Sequence, residues 1–414
     1  MMNKNLLAML LTCNMAFPVT AQDLVKTYNV INPNTEAWQG APVEIGGIDG
    51  YRSALVTIDG KEVPCQMDDL DGDGGADHLF FLTDIKGKDR QTVKVSLWRK
   101  GDPRSYKERT FADIILPNSK IKEKNKQNVY LKEFTVMGGS DPFRSIHQHG
   151  VVFESELTAF RIYCSPRQTV DLYGKYKRQL ELKESEFYPD KEQLAQGFGD
   201  DVLLVGDGVG LGALNGWNGN EPVAFTDCES RSQRIVTTGP LRSIVEIVDK
   251  NWRPTADAEP FTVTSRYTII AGHRDCKVDV QVSVPKGFTL TNDIKKTPYY
   301  IGITNVRGSK SWTNAKGLLA SWGSDYPAKG DTTTQTKQTV GLAVCIPAAN
   351  LEKRADTKYD YGYVVKIPQG HLTYAISFCS DKEENGYHNE DAWKKATSEW
   401  ERDLQKRSLI ILKK

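Results

Sequence analysis

His147 and His149 stand two residues apart, followed by Glu154 and Glu156, Arg161, and then Asp171, Tyr173 and Lys175, all between Asp141 and Lys175. Histidine titrates near neutrality, so this pair can serve as general acid and base. It can equally hold a transition metal, with Glu156 or His273 completing the ligand set. The plain alternative is that these are ordinary strand polars hydrogen-bonded within the fold. Spacing alone favours that plain reading; the chain has six histidines, and placing two of them among carboxylates, a tyrosine and cations keeps the chemical readings open. An extended backbone sends residues two apart to the same side. His147 and His149 then share one face, Glu154 and Glu156 share one, and Asp171, Tyr173 and Lys175 share one on the next strand. Strict alternation puts the histidines and glutamates on opposite faces, unless Gly150 makes a bulge that resets it. His273, followed by Arg274, comes after a strand at a Gly272 turn and is a further candidate.

Two other motifs offer chemistry. Asp69, Asp71, Asp73 and Asp77 surround Gly72, Gly74 and Gly75, resembling the opening of a calcium loop that gathers hard oxygens round a tight turn. The closing bidentate glutamate is missing, since Phe80 stands in its place. A structural calcium and a bare polar hairpin turn are the competing readings. Gly206-Asp-Gly-Val-Gly-Leu-Gly212 looks like a phosphate loop, but Ala-Leu-Asn-Gly-Trp-Asn-Gly follows it. No helix starts there, and a dinucleotide site needs one. The glycines instead suit close packing along a strand.

The elements that must position these residues are almost all strands. Phe261–Ile270, Cys276–Val284, Leu241–Val248, Val340–Ile346 and Leu372–Phe378 alternate apolar and polar residues and are rich in Val, Ile, Thr and aromatics, as half-buried antiparallel strands are. Helical periodicity is confined to Glu390–Arg407, where Trp393, Trp400 and Leu404 share one stripe. Expected is an all-β chain: a small N-terminal sandwich-like domain over 22–117, a basic linker over 118–128, and a large antiparallel supersandwich over 129–414 that ends in a helix.

Residues 1–21 read as a signal peptide: Lys4, a short apolar run, then Pro18-Val-Thr-Ala21 before the cut. The run is too short to span a bilayer. Leu10-Leu-Thr-Cys13 is a poor lipoprotein box, with Thr12 where a small residue belongs. The mature chain is therefore expected in the periplasm or outside the cell. Lys and Arg number 54 against 53 for Asp and Glu, which gives no electrostatic reason for a nucleic-acid partner. An acidic sugar needs only a local cationic pocket. Apart from Cys13, Cys65, Cys164, Cys228, Cys276, Cys345 and Cys379 are too sparse for a disulfide scaffold, and their pairing stays open.

His149–Tyr163, Arg167–Lys175, Gln66–Gly74, Gly199-Asp-Asp-Val-Leu203, Val209–Gly212, Ser321-Trp-Gly323 and the closing tryptophan-bearing helix together resemble a secreted Bacteroidetes family labelled a domain of unknown function. The resemblance spans essentially the whole mature chain. It implies the galactose-mutarotase-like supersandwich, a setting among polysaccharide-utilisation genes, and a relative that is a dehydratase of uronic-acid oligosaccharides. Elimination across C4–C5 of a uronate needs a cation to neutralise the carboxylate, for which Arg161 or Lys175 is available. It also needs a base, His147 or His149, and a proton donor, Tyr173 or the other histidine. Glu156 would orient a histidine or an arginine. Hydrolysis would want two carboxylates flanking the sugar, which Glu154 and Glu156 on one strand do not provide. A lyase or dehydratase is thus the expectation. The alternatives are a glycosidase or epimerase on the same fold, or a non-catalytic binder that stacks sugars on Trp217, Trp312 and Trp322. No cofactor is required, apart from a candidate calcium at Asp69–Asp77 or a metal on the histidine pair.

Overall fold

Alternation in the sequence becomes alternation in burial. Every second side chain of Phe261–Ile270 is buried, and Cys276–Ser283 repeats the pattern, as a sheet with one face on a core requires. The computed structural model describes residues 23–118, 128–307, 309–328, 333 and 335–414. The expected signal peptide and residues 119–127 of the expected linker lie outside the described residues.

Three large antiparallel sheets build the larger domain, beside a two-stranded one of Ile115–Leu116 and Val129–Tyr130. The nine-stranded one runs, in spatial order, Glu133–Met137, Ser230–Thr238, Arg242–Trp252, Phe261–Ile270, Cys276–Ser283, His371–Ser380, Gln338–Cys345, Leu318–Asp325 and Lys310–Thr313. Against it lie two five-stranded sheets, one centred on Ala159–Tyr163 and the other on Pro298–Thr304. A single parallel bridge, Val170 to Gly210, links their edges. One hydrophobic core joins all three, with Phe153, Phe160 and Leu172 from one short sheet, Leu211 and Ile301 from the other, and Val245, Ile269 and Ile376 from the long one. This is the expected supersandwich.

The small domain is a sandwich of a five-stranded and a three-stranded sheet around Val30, Val43, Val56, Phe81 and Val95. Its limits differ from those read in the sequence. Thr110–Asp113 pairs with Gly150–Ser155 of the larger domain, so the crossover precedes residue 117. The last strand, Ile410–Lys413, returns to pair with Leu24–Ile31. Both terminal segments thus close one sheet, a long-range pairing that local periodicity does not carry. Arg242 ties the two domains, meeting Asp68 and Glu44 and lying 4.2 Å from the centroid of the Phe80 ring.

Asn389 caps the helix Glu390–Leu404 by accepting the Ala392 N–H. Trp393 is buried against Gly341, where a Cβ would come within 2.6 Å of the indole. Thr397 and Glu401 are buried with it, while Trp400 is half-buried and Leu404 is exposed. The stripe is therefore rotated from the expected one. Asn314 holds Glu401 through its side-chain amide, so a polar contact takes the place expected for leucine.

Candidate functional site

The short sheet containing Gly150–Ser155, Ala159–Tyr163 and Val170–Gly174 presents two different faces. Phe153, Phe160, Ile162 and Leu172 enter the main core. Val152, Glu154, Ala159, Arg161, Tyr163, Asp171 and Tyr173 point the other way, because period-2 alternation leaves them there. That second face is not open. The segment carrying the short helices Leu182–Ser185 and Lys191–Ala195 folds over it, packing Leu182 and Phe187 against Val152, Ala159 and Tyr173.

The cover decides which polar residues remain accessible. Glu154 is fully buried, ion-paired with Lys175, and accepts N–H groups from Glu181 and Leu182. Lys175 also donates to the Gln179 carbonyl. The pair anchors the cover, and Lys175 is spent internally instead of facing a substrate. Tyr173 is buried beside Phe187, ring centroids 5.4 Å apart, and is not placed to protonate a leaving group. Both placements correct the roles expected from the sequence. A burying cover formed by later residues has no signature in the strands beneath it.

At the Gly150 end of the sheet the arrangement is different. His147–His149 is a single 3₁₀ turn and not an extended run, so the shared-face expectation for the histidines does not apply. Gln148 and His149 have φ of 58° and 63°, and across from them Glu186 and Phe187 have 48° and 70°. These are the only adjacent non-glycine pairs in the left-handed region among the described residues. Each such residue costs about 1–2 kcal/mol, and strain of this kind concentrates where a geometry has to be held for function.

What the strain holds is a group of titratable side chains. His147 Nε2 lies 2.9 Å from Glu186 Oε2, with the imidazole about 30% exposed. Asn128 donates to the other oxygen of Glu186 at 3.3 Å. His149 Nδ1 is 2.7 Å from the Phe143 carbonyl, which can only accept. Nδ1 therefore carries the proton, and Nε2 is the acceptor. The Phe143 ring stacks on the imidazole at 4.0 Å. Burial, with the charges of Arg161 and His147 adding to it, holds His149 below the usual histidine value. The ring is then a neutral base at pH 7.

Arg161 lies beneath and is 2% exposed. Its Nη2 meets Asp171, donates to the Tyr163 hydroxyl at 2.8 Å and reaches Asp201 at 3.4 Å, while Nη1 donates to the Tyr188 hydroxyl at 2.7 Å. Tyr163 donates in turn to Asp171 at 2.6 Å. Phe187 covers the guanidinium at 4.0 Å. Arg161 is thus a positioning residue for two tyrosines, not the substrate-facing cation expected of it. Burial and the neighbouring Asp171 charge raise Asp201 well above its usual value, with Arg161 opposing them, and its side chain is about a quarter exposed. Burial likewise raises Tyr188, with Arg161 pulling it partly back.

The remaining predicted residues lie elsewhere. Glu156 sits past the other end of its strand, roughly 20 Å away by strand rise, holding Arg109 at 2.8 Å and the Gly272 N–H at 3.1 Å. His273 lies at that same end, its Nε2 2.8 Å from the Gly40 carbonyl. Trp217 stacks on Tyr300 in the other short sheet at 5.4 Å, and Trp312 and Trp322 pack beside Trp393. Asp69, Asp71 and Asp73 draw oxygens within 4.8 Å of one another, though Asp69 and Asp73 already accept loop N–H groups. Asp77 leaves that cluster, accepting the Leu70 N–H and lying 3.1 Å from His78. All six cysteines of the described chain are free thiols. No described helix is long and apolar enough to cross a membrane.

Sequence reasoning missed Tyr163, Tyr188, Glu186 and Asp201. Tyr163 and Asp201 stood inside motifs noted above, at His149–Tyr163 and Gly199–Leu203. Tyr188 and Glu186 belong to the cover, where no periodicity flags them.

A family model described as a domain of unknown function, DUF4861, matches residues 32–409. No curated protein matches the chain. Among solved structures, a protein in the glycosyl hydrolase family 38 from Enterococcus faecalis aligns at 10% identity and a TM-score of 0.46, over 94% of this chain and 47% of that one. An alpha-mannosidase from Enterococcus faecalis V583 aligns at 10% and 0.45, over 94% and 46%. The chain spans about half the length of these structures.

Proposed function

The chain belongs to the DUF4861 family, and from that premise we propose that it is a carbohydrate-active lyase or dehydratase. It eliminates across C4–C5 of uronic-acid-containing oligosaccharides, acting in the periplasm or outside the cell. The observation that carries the reading is the strained double turn holding His147, His149 and Glu186 beside two tyrosines on one arginine.

In this reading His149 Nε2 takes the C5 proton. The C5 electron pair forms the C4=C5 alkene, and the C4–O4 bond breaks. Tyr188 gives its hydroxyl proton to O4, which leaves as water from a free terminus or as a sugar hydroxyl from within a chain. The tyrosinate is stabilised by the guanidinium already donating to its oxygen. Proton return from the His149 imidazolium to Tyr188 closes the cycle. Asp201, whose protonated form is favoured by burial and by Asp171, donates a hydrogen bond to the uronate carboxylate, an anchoring that the internally paired Arg161 and Lys175 do not supply. His147, held by Glu186, orients the sugar hydroxyls. The route uses side chains alone.

Hydrolysis by paired carboxylates fits less well, because Asp171 and Asp201 meet the same Arg161 nitrogen and lie to one side. The dehydratase of uronic-acid oligosaccharides that the sequence resemblance implies among the relatives points the same way, as analogy. The test is His149→Ala on uronate oligosaccharides. Turnover should vanish with the melting temperature shifted by no more than a few degrees, and retained turnover would overturn the assignment.

A further inference from the structure

A cleft of about 1190 Å³ opens where three distant parts of the chain meet: Trp38 and Pro42 of the small domain, His273–Asp275 after the Gly272 turn, and Tyr387–Leu404 of the closing helix region. It lies at the Glu156 end of the fold, away from the histidine turn. Trp38, Tyr387 and Trp400 are all half-buried, so each contributes an aromatic surface to the wall. The polar groups between them are fixed in advance. Trp400 Nε1 donates to Asp275 at 3.1 Å, and the His273 ring is held by Gly40 at 2.8 Å.

The charges argue about the ligand. Arg274 is paired with Glu383 at 2.7 Å, Lys277 with Asp279 at 2.9 Å and Lys406 with Asp403 at 2.8 Å. Lys406 also lies 5.9 Å from the centroid of the Trp38 ring. Lys316 is a fourth cation on the lining, but Asp275 and Glu401 line it too, so the cleft has no net attraction for an anion. What remains is aromatic surface with interspersed hydrogen-bonding groups, which suits a flat, uncharged ring bearing hydroxyls. The volume exceeds that of one sugar ring several-fold.

We infer that this cleft is a second saccharide site, taking a neutral stretch of oligosaccharide by stacking on Trp38 and Trp400. It would hold the polysaccharide to the protein independently of the residues that perform elimination. The ligand class extends the carbohydrate reading above, but the site stands or falls on its own residues.

The test is calorimetric titration of the full chain with neutral gluco-, manno- and xylo-oligosaccharides, in low salt and at 0.5 M NaCl as chosen conditions. Expected is binding by at least one series, with tryptophan fluorescence quenched and affinity changed less than twofold by salt. Trp38→Ala should weaken it at least tenfold, and Trp38→Phe, which keeps an aromatic ring against the small-domain core, only a few-fold, with a melting temperature near the parent's. Because Trp38 and Trp400 both also pack against buried clusters, Ala348→Arg, which fills an exposed position of the wall, serves as the second variant and should weaken binding comparably. His149→Ala should bind as the parent does, which separates this site from the proposed catalytic one. No binding by any neutral series, parent-like affinity in both Trp38→Ala and Ala348→Arg, or loss of affinity in salt would each overturn the inference.

Discussion

His147 Nε2 stands 2.9 Å from Glu186 Oε2, and the two residues come from opposite sides of the site, one from a 3₁₀ turn and one from the cover. Glu186 itself has left-handed φ, and His147 precedes two residues that do. The contact therefore joins the strained turn to the strained cover, and it fixes where the imidazole sits over the sheet.

Glu186→Gln keeps the size of the side chain and removes its charge. Turnover should fall roughly 10²-fold, the scale of a lost acid–base positioning contact, with KM changed less than threefold. Steady-state kinetics on a uronate oligosaccharide reads this. An unchanged kcat would make the pair structural only.

Tyr188→Phe removes the proposed acid but leaves the ring over Phe187 and His147. The expected loss is about 10²–10⁴ in kcat with near-normal stability. Tyr163→Phe should cost less, because the Tyr163 hydroxyl proton already goes to Asp171.

Lys175→Met leaves Glu154 without its ion-pair partner in a fully buried position. Breaking one side of such a pair costs about 3–5 kcal/mol, read as a lower denaturant midpoint. A change below 1 kcal/mol, with KM raised, would restore the substrate-binding role first expected for this lysine.

The supersandwich was legible because its strands alternate cleanly, as Phe261–Ile270 and Cys276–Ser283 do. The histidine pair was legible as chemistry but not as geometry. A 3₁₀ turn with two left-handed residues looks like an extended strand when only spacing is read. Arg161 and Lys175 were legible as cations but not as buried ones, since their burial comes from a cover that includes Leu182 and Phe187. The closing strand Ile410–Lys413 could not be assigned to the first domain, because its partner lies at the other end of the sequence.

Two groups fix the pH behaviour. His149 is held below the usual histidine value, chiefly by burial. The unfolded chain then binds the proton more readily, so this contribution to stability is present above about pH 6.5 and is lost as pH falls through the folded value. The acidic limb of kcat/KM should accordingly lie below pH 6.5, and a limb at or above 6.5 would contradict His149 as the base.

Asp113, buried near Glu186, is pushed up to about 6 by burial first and Glu186 second. Its contribution is present below about pH 4 and is lost as pH rises through about 6. Asp113→Asn should therefore stabilise the protein at pH 8 by roughly 1–3 kcal/mol and by much less at pH 4. Denaturant titrations at the two pH values read the difference, and an equal shift at both would contradict it.

The most direct measurement of the central claim is to incubate the protein with a panel of uronic-acid oligosaccharides and follow product mass together with the ultraviolet absorbance of a conjugated alkene. A new alkene with loss of one water, or with chain cleavage without water uptake, is the predicted result. Chain cleavage with uptake of water and no alkene would contradict it and make the protein a hydrolase.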